Sequence, residues 1–207
     1  MMNLAQVKDY FYPNRILDIG ANIGQFHRFA KSIFPNSFIF SIEAEPSCEK
    51  FLKEITNNYY IGLLAKDISA YNFYKLKSRP ENTGNSIYRE LGEHYTEENT
   101  EIKTRIGELL DSVLLNVEPF DLIKIDTQGS ELDIISGGMN VCSKAKAILL
   151  EVSLTQCNLN APLYPEVVKF MDNIGFKVAN VLNESTYKEF KQQDILFLNK
   201  QYLDSTK

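Results

Sequence analysis

Ile16-Leu17-Asp18-Ile19-Gly20-Ala21-Asn22-Ile23-Gly24 is the stretch that decides how the whole chain is read. An apolar run closed by an acid, two glycines four apart and an amphipathic continuation predict strand, tight loop and helix. In an open α/β sheet that order brings backbone amides close to a nucleoside-bearing ligand at the carboxyl edge. The glycine spacing separates the candidate ligands. A dinucleotide loop carries glycines at its first, third and sixth positions, whereas here Asn22 follows Gly20 at the third and Gln25 at the sixth. An acid two residues ahead of the first glycine suits a cationic, amino-acid-bearing ligand better than a pyrophosphate, and S-adenosylmethionine is such a ligand. Asp18 is then expected to accept from its amino group, directly or through water. Gly20, Ala21 and Gly24 would bring the backbone close, and Asn22 would offer an amide to its carboxylate.

Working outward, strand-like and helix-like segments alternate, which predicts a mostly parallel sheet with helices on both faces. Arg15–Ile19 reads as a strand, Gly24–Phe34 as its helix, Ser37–Glu43 as a strand and Ser47–Thr56 as a helix behind Pro46. Tyr59–Leu64 is a third strand, and Ser69–Leu76 alternates weakly, as an extra hairpin strand would. From Lys77 to Arg105 the pattern breaks down into a polar stretch with Pro80, Gly84 and Gly92, read as a loop insertion. Ile106–Leu115 has helical periodicity, and Phe120–Asp126 is apolar enough for a central strand. Ser130–Ser136 and Leu163–Ile174 read as helices and Ala147–Val152 as a strand. Lys177–Leu182 and Ile195–Asn199, joined by a short connection, suggest a closing antiparallel hairpin.

At 207 residues, with 44% hydrophobic and 24% charged residues, the chain is expected to fold as a single domain spanning 1–207 with the insertion at 77–105. A net charge of −5 supplies no general field for nucleic acid, and no basic stripe with aromatic platforms is present. No run of 18 apolar residues predicts a membrane span, and Met1–Tyr12 does not read as a signal peptide. Cys48, Cys142 and Cys157 lack the spacing of a disulfide framework or metal site and read as reduced thiols of a cytoplasmic protein. With only His27 and His94, a histidine-based zinc site or a Ser-His-Asp triad is not expected.

Two further landmarks carry chemistry. Glu43, in Ser41-Ile42-Glu43-Ala44-Glu45-Pro46, sits about 20 residues beyond the glycine loop at a strand end, where an acid accepts from ribose hydroxyls. Ala44 beside it joins the candidate cofactor contacts, and Glu45 competes with Glu43 but falls where the turn starts. In Asp121-Leu122-Ile123-Lys124-Ile125-Asp126-Thr127-Gln128-Gly129-Ser130-Glu131, Lys124 and Asp126 are two apart on a strand and share a face. Charge inside a central strand is costly unless it reaches the carboxyl-end crevice or finds partners. Asp126, with Lys124 beside it as a second catalytic candidate facing the acceptor, can therefore orient an acceptor hydroxyl, take its proton, contact the cofactor or join a metal. The competing reading is a structural ion pair of Lys124 with Asp126 or Glu151. Glu131 is either part of the catalytic group or a first-turn helix acid. Glu151 is a second-tier substrate contact, and Tyr88, Arg89 and His94 are either a substrate lid or ordinary surface.

With these motifs in hand, the chain resembles the FkbM methyltransferases, a family of S-adenosylmethionine-dependent O-methyltransferases. The resemblance rests on Leu17–Gly24, on Ile42-Glu43 with Pro46, on Leu110-Asp111-Ser112, and most of all on Asp121–Glu131. Leu150-Glu151-Val152 and Gly175-Phe176 extend it over nearly all of Ile16–Asn199. It implies the Rossmann-like class I methyltransferase sheet, seven-stranded and mostly parallel with an antiparallel last strand. It also implies cofactor contacts from Asp18, Gly20, Asn22, Gly24 and Glu43. The acceptor it implies is a hydroxyl of a sugar, polysaccharide precursor or polyketide-type metabolite. About 15 residues precede the first strand, fewer than the extra N-terminal helices of many class I enzymes. The acceptor site is thus expected to be shaped by the 77–105 loop or by a second subunit of a homo-oligomer. The rival functions are a nicotinamide-dependent oxidoreductase, which the glycine spacing disfavours, a non-catalytic S-adenosylmethionine-binding module, and a nucleic-acid methyltransferase.

Overall fold

The computed structural model describes residues 2–79 and 81–205, so Pro80 of the expected insertion lies outside the described residues. Among the described residues the strands are β1 (Arg15–Ile19), β2 (Phe38–Glu43), β3 (Tyr59–Ile61), β4 (Ala70–Leu76), β5 (Thr100–Ile106), β6 (Leu122–Ile125), β7 (Ala147–Ser153), β8 (Phe176–Tyr187) and β9 (Phe190–Asn199). The α-helices among the described residues are α1 (Gln25–Ile33), α2 (Glu49–Leu52), α3 (Leu110–Val113), α4 (Glu131–Ser136), α5 (Met139–Cys142), α6 (Tyr164–Asn173) and α7 (Lys200–Ser205). Seven strands form one sheet in the order β3-β2-β1-β6-β7-β9-β8, and β4 pairs with β5 in a separate antiparallel ribbon. Strands β1, β2, β3, β6 and β7 run parallel, while β9 is antiparallel to both its neighbours. The fold is therefore the mixed α/β sheet expected, with the last strand antiparallel.

Alternation along the strands sorts side chains into two cores. Leu17, Ile19, Ile123, Ile125, Ile148 and Leu150 pack on one face under Ile134 and Ile135 of α4 and Val167 and Met171 of α6. Ile16, Ile39, Leu122, Leu149 and Leu196 pack on the other, under Phe26 and Ala30 of α1 and a short 3₁₀ turn at Leu4–Asp9. Asp18 and Lys124 fall on this second face, so the pleat itself buries their charges.

Some local expectations need correction. The stretch expected as a loop to Arg105 already turns into strand at Thr100, because Thr100, Ile102, Thr104 and Ile106 supply a β-branched alternation. It was hard to see because Ile102 and Ile106 face solvent while Arg105 faces the protein. The helix expected over Ile106–Leu115 shrinks to α3, since Ile106 belongs to β5 and Gly107 bonds back to Ser69. The expected Ser47–Thr56 helix is a 3₁₀ turn at Pro46–Cys48 followed by the single turn α2.

Candidate functional site

The carboxyl ends of β1, β2 and β6 open into a cavity of about 320 Å3. Its walls come from the glycine loop (Gly20, Ala21, Asn22), from Glu43 and Ala44, from Leu63 and Leu64, and from Lys124, Asp126 and Thr127. Phe73 of the ribbon and a strap made of Asn82, Thr83, Asn85, Ser86 and Ile87 complete it.

Gly20 is required by two separate facts. Its φ is +78°, and a Cβ there would stand 1.9 Å from the carbonyl oxygen of Asp126, so β1 and β6 could not approach with a side chain between them. The amides of Gly20 and Ala21 both donate to the Ile42 carbonyl, which fixes the loop against β2. Gly24 (φ +83°) does a different job. It lies outside the cavity wall, and its missing Cβ lets α1 pack on Ile55 and Leu52.

Glu43 turns its carboxylate into the cavity while holding the loops around it. Oε2 accepts the Asn22 amide at 2.7 Å and Oε1 accepts the Glu45 amide at 2.7 Å. Burial raises its pKa above the ordinary carboxylate value, and the backbone donors of Glu45 and Asn22 oppose that rise. Each oxygen keeps capacity for a further donor. Asn22 (φ +48°) is occupied otherwise than expected, its side-chain amide donating to the Glu81 carbonyl at 2.8 Å and so tying the glycine loop to the strap.

Lys124 is the hub of the floor. Its ammonium is 3.2 Å from Asp126 Oδ2 and 3.6 Å from Asp18 Oδ1, and 5.3 Å from the centre of the Phe26 ring. Burial alone would pull the ammonium down, but Asp126 and Asp18 outweigh it and hold its pKa above the ordinary lysine value. Asp18 is fully buried behind Lys124, outside the cavity wall, and among the described residues neither oxygen has a hydrogen-bond partner. Burial therefore pushes its pKa up to about 6, more than the attraction of Lys124 returns. Asp126 is partly exposed in the cavity. Its other oxygen accepts from the Gln128 amide at 2.9 Å, and the same Gln128 nitrogen reaches Glu151 Oε2 at 2.6 Å. Glu151 also receives the Gln192 amide at 2.8 Å, and burial, then Asp126 and Asp194, raise its pKa well above normal.

Glu131 is placed away from the cavity. Its Oε1 accepts the amides of Thr127 (2.8 Å) and Gly129 (3.1 Å), so it braces the loop that carries Asp126. The three lid candidates do not line the cavity either. Tyr88 donates to Asp133 at 2.8 Å, Arg89 reaches the Tyr95 carbonyl, and His94 is exposed beside Glu93. The strap residues at 82–87 occupy that role in space, held by Ser86 Oγ donating to the Thr127 carbonyl at 3.0 Å and by paired backbone bonds with Tyr74. Sequence reading missed them because small polar residues between glycines look like any loop. Among the described residues no group of three or more His, Cys, Asp or Glu side chains is placed to hold a metal ion. Cys48, Cys142 and Cys157 are free and buried, and no helix among the described residues is long and apolar enough to cross a membrane.

Residues 18–178 match the model of the methyltransferase FkbM domain. Among solved structures, the chain is similar to a methyltransferase FkbM from Methylobacillus flagellatus KT, with 13% identity and a TM-score of 0.55. That alignment covers 89% of this chain and 43% of that one, so this chain spans less than half of that protein's length. A TehB-like SAM-dependent methyltransferase from Corynebacterium glutamicum ATCC 13032 aligns over 97% of this chain and 89% of its own, at 11% identity and a TM-score of 0.53. Magnesium protoporphyrin IX methyltransferase from Synechocystis PCC 6803, solved with bound SAM, aligns over 93% and 74%, at 9% identity and a TM-score of 0.51. At these identities the likeness is one of fold. Among curated proteins none matches this chain.

Proposed function

The chain belongs to the FkbM methyltransferase family, and from that premise we propose that it is an S-adenosylmethionine-dependent O-methyltransferase. We take its acceptor to be a hydroxyl of a sugar, glycan or related metabolite. The observation that carries the reading is Glu43, a cavity-facing carboxylate at the end of β2 that is locked by the glycine-loop amide of Asn22. This is where a ribose is bound in open α/β sheets. The other residues fit the same ligand. Gly20 gives it a wall without side chains, Leu63, Leu64 and Phe73 give an apolar end, and about 320 Å3 lies within the ~300–1,000 Å3 of small-molecule sites.

Bound there, the cofactor would supply a methyl group on a positively charged sulfur. The chain's own contribution is alignment and proton acceptance. Lys124 holds one oxygen of Asp126 and Gln128 the other, which leaves that carboxylate oriented at the cavity floor to accept the proton of an acceptor hydroxyl. Asp18 acts from behind, as the buried partner of Lys124. The strap at 82–87 supplies a further wall of the cavity.

Calorimetric titration and thermal shift with S-adenosylhomocysteine, with NADH as control, test the reading. Saturable binding of S-adenosylhomocysteine alone is expected, adding about 2.7 kcal/mol of stability at 100 times its dissociation constant. A folded protein that binds neither ligand, or binds NADH instead, would overturn it.

A further inference from the structure

The ribbon β4–β5 lies apart from the seven-stranded sheet, yet it touches the segment that carries Glu43 at two points. Lys75 of β4 places its ammonium 3.3 Å from Glu45 Oε2, and both side chains are buried, at 8% and 6% exposure. Glu101 of β5 stands 3.7 Å from the same ammonium on its outer side. Arg105 of β5 donates from its guanidinium to the Ala44 carbonyl and lies over the Phe73 ring, 5.4 Å from its centre. Glu45 in turn donates its amide to Glu43 Oε1 and accepts the Ser47 amide, at 3.2 Å, on the oxygen that Lys75 does not approach most closely. Glu43 and Glu45, two residues apart, are thus both buried, and among the described residues Lys75 is the cation within ion-pair distance of Glu45.

Buried carboxylates of like charge repel, and an isolated one is driven to move outward or take a proton. Without Lys75, Glu45 would leave its place. Its amide would then no longer be held on Glu43 Oε1. Without Arg105, the Ala44 carbonyl would lose the donor that keeps the peptide between the two acids in position. Both effects reach the cavity through Glu43.

We propose that Lys75 and Arg105 are positioning residues of the cofactor site: the ribbon clamps Glu43-Ala44-Glu45 so that the Glu43 carboxylate meets the two ribose hydroxyls of a bound nucleoside. The inference rests on the reading of the cavity as an S-adenosylmethionine site. It assigns the ribbon to the nucleoside end of that site rather than to the acceptor.

The test compares S-adenosylhomocysteine with its 2′,3′-dideoxy analogue, which lacks both hydroxyls, on wild type, Lys75→Met, Lys75→Arg and Arg105→Met. Wild type should prefer the parent ligand by roughly tenfold or more, as expected for hydrogen bonds to a charged acceptor. Lys75→Met should weaken the parent by about the same factor and shrink the preference to within about twofold, while Lys75→Arg keeps most of both. Arg105→Met, at a half-buried site whose loss the fold tolerates more easily, should narrow the preference in the same direction and stands in if Lys75→Met does not fold. Equal weakening of the two ligands, or an unchanged preference in both variants, would overturn the proposal while leaving the cofactor reading intact. Failure of folded wild type to bind S-adenosylhomocysteine would remove both.

Discussion

On its β1–β2 side the cavity is built by backbone, and on its ribbon side by side chains reaching in from a distance. The first wall is Gly20 passing against the Asp126 carbonyl, with Gly20 and Ala21 hung on Ile42 and Asn22 hung on Glu43. These contacts span at most about one strand–helix–strand unit of sequence, apart from the β1–β6 crossing. The second wall is Phe73, and behind it Lys75 and Arg105 meet Glu45 and Ala44 across 30 residues (Lys75 to Glu45) and 61 residues (Arg105 to Ala44) of chain. A backbone wall has no spare conformations, so it should fail abruptly when altered. A side-chain wall should fail by degrees.

The largest effect should come from the backbone wall. Gly20→Ala must both hold φ near +78° and displace a carbonyl 1.9 Å from the new Cβ. The strained φ alone costs on the order of 1 kcal/mol, and the loop must shift by a bond length or more to relieve the clash. S-adenosylhomocysteine binding should fall by roughly 100-fold or beyond calorimetric detection while circular dichroism still reports a folded chain. Binding within a few-fold of wild type would show that the wall has room to move, and the two walls would then not differ in stiffness. Glu43→Ala comes next. It removes the acceptor from the cavity and leaves the amides of Asn22 and Glu45 without their partner. An affinity loss of roughly 10- to 100-fold by calorimetry is expected, larger than for either ribbon variant. If a ribbon variant lost more, the ribbon rather than the strand end would be the main determinant.

The same contrast accounts for what the sequence made visible. Arg15–Ile19 with Gly20 and Gly24, Phe38–Glu43, and the central strand before Asp126 could be read because strand, turn and site residue are contiguous there. Their apolar residues are also buried, on both faces of the sheet, as a parallel sheet covered by helices requires. The ribbon reverses that polarity. Ile102 and Ile106 are exposed while Lys75 and Glu45 are buried against each other, so a reading that sends apolar residues inward mistook β5 for loop. Asp18 was placed at the correct strand end, but its partner turned out to be Lys124 on the neighbouring strand, a pairing fixed by the β1–β6 register. Sequence reading makes Asn22 a cofactor contact and Glu131 either part of the catalytic group or a first-turn helix acid. Their hydrogen bonds go to the 81–82 backbone and to their own loop, targets that only the closed chain supplies.

Glu131 offers the finest discrimination, because the acid stands next to the site yet outside the cavity wall. Burial pushes its pKa up to about 7, against the pull of the Thr127 amide and other backbone donors. The folded state thus holds the proton more tightly than the unfolded chain, whose value is near 4.5. The stability this contributes is fully present below pH 4.5 and is lost as pH rises to about 7. Glu131→Gln keeps a carbonyl to accept the Thr127 and Gly129 amides and has no proton to lose. Urea unfolding of the two proteins from pH 4.5 to 7.5 should therefore show the stability of wild type relative to the variant declining by up to about 3 kcal/mol. S-adenosylhomocysteine affinity at neutral pH should change by less than about twofold, since the loop geometry survives. A flat difference with pH would mean Glu131 is not the buried proton holder of this loop. A large loss of affinity with an unaltered pH profile would move it from bracing the site to contacting the ligand, and the backbone wall would then extend as far as the first turn of α4.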